Sequence, residues 1–130
     1  MAKLTEEMME FVKGKMAYVA TIGPDGMPNV GCKGSFRVID DEHVAWNEGT
    51  FKHTYENLQR NPGVALAIVD RETRKGFRFK GKAELLVDGP VYEKFKEDNM
   101  ALGRPAPKVM VCVSVKEIYD IGFPTWGRIA

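Results

Sequence analysis

Apolar and polar residues alternate in short runs along most of this chain, and that period is expected of half-buried β-strands. Six segments follow it or form short continuous apolar runs: residues 16–22, 27–40, 43–46, 63–70, 75–88 and 108–122. Most are joined by turns such as GPDG, residues 23–26, so antiparallel pairing is expected. The segment 63–70 is the most uniformly apolar and is predicted to lie inside the sheet.

Three further segments have the spacing of short helices. The first begins after Thr5, a candidate N-cap, and ends near Gly14. The second is FKHTYENLQRNP, residues 51–62, which ends at its own Asn-Pro pair. The third occupies residues 89–103, with a proline near its start and a glycine at its end. Short helices among six strands predict a mainly β fold.

The strand pattern predicts one domain over residues 1–130, a six-stranded antiparallel split β-barrel of the Greek-key type. Curling one sheet into a barrel removes exposed strand edges. Gly31, Gly34 and Gly81 fall inside apparent strands, where they indicate sharp bends or the close approach of a ligand.

Composition excludes several classes of protein. The chain has 130 residues, 44% of them apolar and 28% charged, and a formal net charge of +1. That balance argues against general binding to nucleic acid or a membrane surface, which needs a basic patch. The acidic, interrupted N-terminus does not resemble a secretory signal, and Cys32 and Cys112 fit reduced, buried thiols in strands, so a cytoplasmic location is expected.

The second helix places two potential cations, Lys52 and His53, at its N-terminus. That end of a helix already carries partial positive charge and prefers acidic neighbours. Free backbone N–H groups there form an anion site. Thr54 would add a hydroxyl at the expected N-cap position, and Gly49 would allow the backbone to approach a ligand closely. The alternative is an ordinary cap at Thr54 with two solvated cations, since Glu56 already compensates part of the dipole.

The order of motifs from Met16 to about Leu86 resembles the pyridoxamine 5′-phosphate oxidase-like FMN-binding split-barrel family. Residues 21–70 contain a strand, an Asp-Gly turn, a second strand, a short strand, a polar loop with a basic pair, and a helix ending at Asn-Pro before an apolar strand; GKAELL, residues 81–86, continues the pattern. The resemblance implies a split barrel and FMN as cofactor. In size the chain is most similar to small single-domain electron-transfer members.

The resemblance also implies site residues. The family's phosphate-binding pair falls on His53 and Thr54, where a titrating histidine replaces the usual permanent cation and Lys52 can supply the lost charge. The strand that contacts the isoalloxazine ring falls on Val30, Gly31, Cys32 and Lys33, and the loop that approaches the flavin from the other side falls on Asn47, Glu48, Gly49 and Thr50.

Family members complete the site with a second subunit, which implies a homodimer with the flavin at the interface. Trp126 in the tail is the candidate for covering the ring, with Val109, Val111 and Tyr119 as further wall residues. The alternative is that Trp126 packs on its own domain. Trp46 is expected in the core and His43 at the surface.

These features predict an FMN-binding redox protein, either an electron carrier or a small flavin oxidoreductase, with an unknown redox partner. No acid–base or nucleophile constellation and no metal site stand out in the sequence. One alternative is a pyridoxamine 5′-phosphate oxidase-like enzyme, which needs a second phosphate site; after Gly103 the chain offers Arg104 and Arg128 but no histidine. A second alternative is a non-catalytic haem- or deazaflavin-binding module on the same barrel.

Overall fold

The structure is a computed structural model that describes residues 2–130. Its helices are α1 (Glu6–Val12), α2 (His53–Arg60) and α3 (Pro90–Ala101), and its strands are β1 (Ala17–Ile22), β2 (Pro28–Lys33), β3 (Arg37–Val38), β4 (His43–Glu48), β5 (Gly63–Asp70), β6 (Lys75–Leu86), β7 (Val109–Asp120) and β8 (Gly127–Arg128). Among residues 2–130, these helices are too short and too polar to cross a lipid bilayer.

All eight strands belong to one antiparallel sheet in the order β2-β1-β5-β6-β7-β4-β3, with β8 paired to β7. The predicted mainly β split-barrel fold is therefore confirmed, but the described residues form eight strands and not six. Segment 27–40 turns after Lys33, because the buried Phe36 enters the core and ends β2. Gly34 consequently lies in a turn and not in a strand. The eighth strand is a two-residue pairing of the tail with β7.

The main core lies on the inner, concave face of the sheet. In β1 the side chains alternate between buried and exposed, so Ala17 and Val19 point inward and Tyr18 points outward. Trp46 is fully buried, which confirms its predicted place in the core. The helix α1 adds Met8 and Val12 to this core, and its predicted cap is confirmed by the Met8 N–H, which donates to the Thr5 hydroxyl at 3.2 Å.

A second, smaller core lies under α3. Tyr92 and Phe95 of this helix pack against Ala45, Met110 and Cys112 on the outer face of β4 and β7. Because β7 is covered on both faces, it is buried almost continuously from residue 109 to residue 113. Burial raises the pKa of the Cys112 thiol to about 11, and the carboxylates of Glu84 and Asp40 add to the shift.

Two sequence predictions are corrected by which strand faces are covered, one on β7 and one on β2. Val109 and Val111 are buried within their own chain, so they cannot supply a wall to a second subunit's flavin. Cys112 is buried as expected, but Cys32 is exposed because β2 is an edge strand that no helix covers on its outer side.

The pairing of β6 with β7 contains a β-bulge. Lys80 pairs with Glu117 and Gly81 pairs with Val115, which leaves Lys116 as the extra residue on β7. At Gly81 the two backbones approach so closely that a β-carbon there would lie 2.0 Å from the carbonyl oxygen of Ser114. This position therefore requires glycine for steric reasons.

Gly81→Ala should lower the free energy of unfolding by about 1–3 kcal/mol, the usual cost of forcing extra volume into a packed site. Gly34→Ala is the matched control, because the nearest atom to its added methyl is the flexible end of Met16 at 4.0 Å. The control should stay within about 0.5 kcal/mol of the parent protein. Urea unfolding measures both, and a parent-like midpoint for Gly81→Ala would contradict the bulge geometry.

Candidate functional site: a cleft at the start of α2

A shallow cleft lies between the edge strand β2 and the first residues of α2. Its volume is about 360 Å³, and its lining consists of Asn29, Gly31, Cys32, Lys33, Thr50, Lys52, His53 and Thr54. Seven of these eight residues were predicted as site residues from the sequence; Asn29 was missed. Larger cavities exist elsewhere in the molecule, but this one combines a helix N-terminus with side-chain cations.

The helix α2 begins two residues earlier than a cap at Thr54 would place it. Its N-cap is Lys52, which offers no side-chain cap, and Thr54 is already the second helical residue. The predicted cap at Thr54 is therefore wrong. The reason is local: Phe51 adopts a left-handed conformation with φ of 54°, which turns the chain into the helix before Thr54, and its ring packs edge-on against Tyr55.

The absence of a side-chain cap leaves backbone donors at the start of α2 free. The first helical hydrogen bond runs from the Glu56 N–H to the Lys52 carbonyl oxygen at 2.9 Å. Within residues 2–130, the N–H groups of His53, Thr54 and Tyr55 have no acceptor from the chain. Lys52 and His53 are exposed beside them, so positive charge and free donors occur together.

A buried ion pair supports the cleft from beneath. The ammonium of Lys33 lies 3.0 Å from the carboxylate of Glu48, and their side chains are 10% and 0% exposed. The same carboxylate accepts hydrogen bonds from the Thr50 N–H at 3.3 Å and the Phe51 N–H at 3.2 Å. One side chain of β4 therefore joins β2 to the loop that leads into α2.

The placement of residues 47–50 corrects the sequence prediction. Asn47 and Glu48 belong to β4 and not to a loop, because β4 continues to Glu48. Glu48 points into the barrel, whereas Asn47, the preceding residue of the strand, points to the opposite face, where its side-chain oxygen is buried without a partner among the described residues. Gly49 is exposed and does not line the cleft, so Thr50 alone of this group reaches it.

The strand β2 brings its backbone close to α2. A β-carbon on Gly31 would lie 3.1 Å from the Thr54 hydroxyl, so this glycine allows α2 to come close to β2. The close approach of a ligand at Gly31 stays a prediction. Val30 points to the outer face and does not line the cleft, whereas Cys32 does line it. Because β2 is an edge strand, one side of its backbone has no neighbouring strand.

A hydrogen-bond chain that sequence analysis missed fixes α2 on the sheet. The buried Asn57 amide donates to the Thr21 hydroxyl of β1 at 3.0 Å, and Arg60 donates to the Asn57 side-chain oxygen at 2.8 Å. The only available signal was a polar residue on the apolar side of a short helix. This contact holds the N-terminus of α2 in a fixed position relative to β2.

Trp126 lies outside the cleft of its own chain. It is 79% exposed, so the alternative that it packs on its own domain is wrong. Phe123 is also exposed, although its N–H donates to the Arg74 carbonyl oxygen at 3.0 Å. The tail is held to β7 by the pairing of β8 and by backbone hydrogen bonds of residues 129 and 130 with Ile118. His43 is partly exposed, as expected, with its Nδ1 atom 2.8 Å from Asp40.

A protein-family comparison identifies the chain. The family described as pyridoxamine 5′-phosphate oxidase matches residues 4–122. This chain belongs to that family. An uncharacterized family relative from Methanocaldococcus jannaschii is 32% identical over 123 residues, which span 92% of this chain and 81% of the relative.

Solved structures agree with the fold. The crystal structure of HupZ from group A Streptococcus has a TM-score of 0.87 and 33% identity, covering 95% of this chain and 98% of HupZ. An F420 reductase has a TM-score of 0.67 and 24% identity, covering 88% of this chain and 98% of the reductase. At that identity the second comparison shows a shared fold and no more.

Lys33→Met should lower the free energy of unfolding by about 3 kcal/mol, because it leaves the Glu48 carboxylate buried without its charged partner. Lys13→Met is the matched control: Lys13 pairs with Glu10 at 2.9 Å, but both side chains are more than two-thirds exposed. The control should change stability by less than about 1 kcal/mol. Equal effects of the two substitutions in urea unfolding would refute the supporting role of the buried pair.

Proposed function

We propose that this protein binds FMN in the α2 cleft and works as an electron carrier or small flavin oxidoreductase. One observation carries the proposal: free N–H groups at the start of α2, two exposed cations and the edge strand β2 all border the same cleft. The flavin supplies the redox chemistry when bound, and the chain supplies its position and its electrostatic surroundings.

The phosphate of FMN fits the N-terminus of α2. A phosphate placed there would accept hydrogen bonds from the backbone N–H groups and interact favourably with the helix dipole. His53 and Lys52 would add charge-assisted contacts, and Thr54 would add a hydroxyl at the inner end of the cleft. Among the described residues, no acidic side chain lines the cleft. The Glu48 carboxylate beneath it is compensated by Lys33 and by the N–H groups of Thr50 and Phe51, which reduces its repulsion of an anion.

A single phosphate site favours FMN over FAD. A dinucleotide needs a second phosphate position, which other proteins supply with a glycine-rich fingerprint between a strand and a helix. This chain has no such fingerprint. The flavin ring would lie along β2, where the backbone of Gly31, Cys32 and Lys33 can hydrogen-bond its polar edge.

The oxidase alternative requires a second phosphate site against the flavin. Neither Arg104 nor Arg128 lines the cleft. Arg128 lies 3.6 Å from Glu117 on the other side of the sheet, and Arg104 is close to Arg37 beside α3. Neither arginine of residues 2–130 after Gly103 therefore gives a phosphorylated substrate a second cationic site beside the cleft, which favours a carrier or reductase.

Deazaflavin and haem are the two other candidate cofactors. The shared fold with an F420 reductase makes a deazaflavin the stronger of the two. For haem, the histidine available at the cleft is His53, because His43 is held by Asp40 away from the lining. The visible absorption spectrum of the purified protein distinguishes the three cofactors.

A homodimer would complete the flavin site. A shallow cleft encloses only part of a flavin, and exposed apolar side chains of Tyr18 and Val30 lie on the outer face next to it. The tail of a second subunit, with the exposed Trp126, can supply a cover for the ring. We place such a dimer in the cytoplasm, where its cysteines stay reduced and an unidentified redox partner meets the flavin.

FMN affinity should fall by roughly 10- to 100-fold in His53→Ala and in Thr54→Ala, since a hydrogen bond to a charged group contributes about 1.5–3 kcal/mol. Thr54→Ser keeps the hydroxyl and should retain affinity. His43→Ala is the control for a histidine outside the cleft. Quenching of flavin fluorescence gives the dissociation constants.

Two outcomes would overturn the assignment. If the purified protein is colourless and does not quench FMN fluorescence, it does not bind this cofactor. Parent-like affinity in both alanine variants would place FMN at another site. Multiple turnovers of pyridoxamine 5′-phosphate with oxygen would show that the protein is an oxidase and not a carrier. Rapid reduction of the bound flavin by NADH or NADPH without oxygen would indicate a reductase.

Sedimentation should show a dimer with two equivalent FMN sites. Mixing Trp126→Ala subunits with subunits that carry His53→Ala tests whether the tail acts across the interface. If it does, each mixed dimer has one site with both substitutions and one site with neither. One of the two sites in every mixed dimer should therefore regain parent affinity. A monomer with full FMN affinity would contradict the shared site.

A further inference from the structure

Three lysines and an apolar groove meet on the outer face of the sheet, away from the α2 cleft. The groove has a volume of about 420 Å³. Ala20, Ile22, Pro28 and Ala65 belong to its apolar floor, and Lys80, Lys82 and Lys116 contribute its cations. It shares no lining residue with the α2 cleft.

The β-bulge between β6 and β7 brings these lysines together. In a regular strand, residues 116 and 117 would point to opposite faces. Because Lys116 is the extra residue opposite Gly81, both Lys116 and Glu117 line the groove while Val115 and Ile118 stay buried. A bulge redirects side chains at the expense of regular pairing and is frequent beside binding sites. In the sequence these lysines are scattered; in the fold they share one surface.

The positive charge of the groove is only partly compensated within residues 2–130, because its one lining carboxylate, Glu117, attracts Arg128 as well as Lys80. Within residues 2–130, Lys80, Lys82 and Lys116 form no ion pair. The one carboxylate in the lining, Glu117, accepts a hydrogen bond from the Tyr119 hydroxyl and lies 3.6 Å from Arg128. Three like charges beside an apolar surface repel one another, and a bound anion would relieve that repulsion.

We propose that this groove binds a small organic anion whose apolar body lies on the floor and whose carboxylate, phosphate or sulfonate faces the lysines. Its volume is within the range of small-molecule sites, about 300–1,000 Å³. The formal net charge of only +1 argues against nucleic acid as the occupant, because the cations of the groove are a local feature. The proposal does not depend on FMN, since the two sites are separate.

The probe is 8-anilinonaphthalene-1-sulfonate, an aromatic anion that fluoresces in apolar surroundings. Its neutral counterpart, N-phenyl-1-naphthylamine, lacks the sulfonate. The anion should bind the FMN-saturated and the flavin-free protein alike, with amide NMR shifts at Ala20, Ala65 and Lys82. In Lys80→Gln/Lys82→Gln/Lys116→Gln its affinity should fall at least about tenfold, as expected for lost contacts to a charged group.

The matched control Lys3→Gln/Lys94→Gln/Lys108→Gln removes the same charge from other exposed positions and should bind the anion as the parent does. The neutral probe should respond to neither triple variant, and Ala65→Leu, which fills the floor, should weaken both probes. Equal loss in the two triple variants, or shifts outside the groove, would overturn the proposal. The proposal would also be overturned if the parent protein does not bind the anionic probe and the groove is buried in a dimer. The groove would then be a contact between subunits.

Discussion

Where β2 passes β4, a lysine ammonium and a glutamate carboxylate are both removed from water, and the geometry of the candidate site depends on their contact. Lys33 alone would be a buried charge, and Glu48 alone would be a more deeply buried one. Together they compensate each other, and Glu48 has further capacity to accept the N–H groups of Thr50 and Phe51. The loop before α2 is therefore held by a side chain and not by its own sequence.

This constraint explains why α2 can begin without a side-chain cap. Thr50 and Phe51 are fixed by Glu48, Phe51 takes the left-handed conformation that turns the chain, and Asn57 ties the helix to Thr21. The helix start is consequently positioned from both sides, and its free N–H groups remain available to a ligand. Preorganised donors of this kind bind an anion without the entropic cost of ordering a loop.

Local pattern predicted the elements that depend on local chemistry. Strand β5 has the bounds that its apolar run indicated, α1 has its Thr5 cap, and the turn-rich connections produced antiparallel pairs. Family resemblance then located most of the cleft. The predictions that failed concern features that depend on contacts distant in sequence. Phe36 ends the second strand because its ring is buried in the core, and Val109 and Val111 are buried because α3 covers β7 from outside. No local signal shows which face of a strand a later helix will cover.

The most direct test of the central claim compares FMN with riboflavin, which lacks the phosphate, by amide NMR of the same protein. Both ligands should shift the amides of Gly31, Cys32 and Lys33, because both carry the ring. Only FMN should strongly shift His53, Thr54 and Tyr55, whose N–H groups are free in the structure. Equal shifts from the two ligands at residues 53–55, or no shift there from FMN, would contradict a phosphate site at the start of α2.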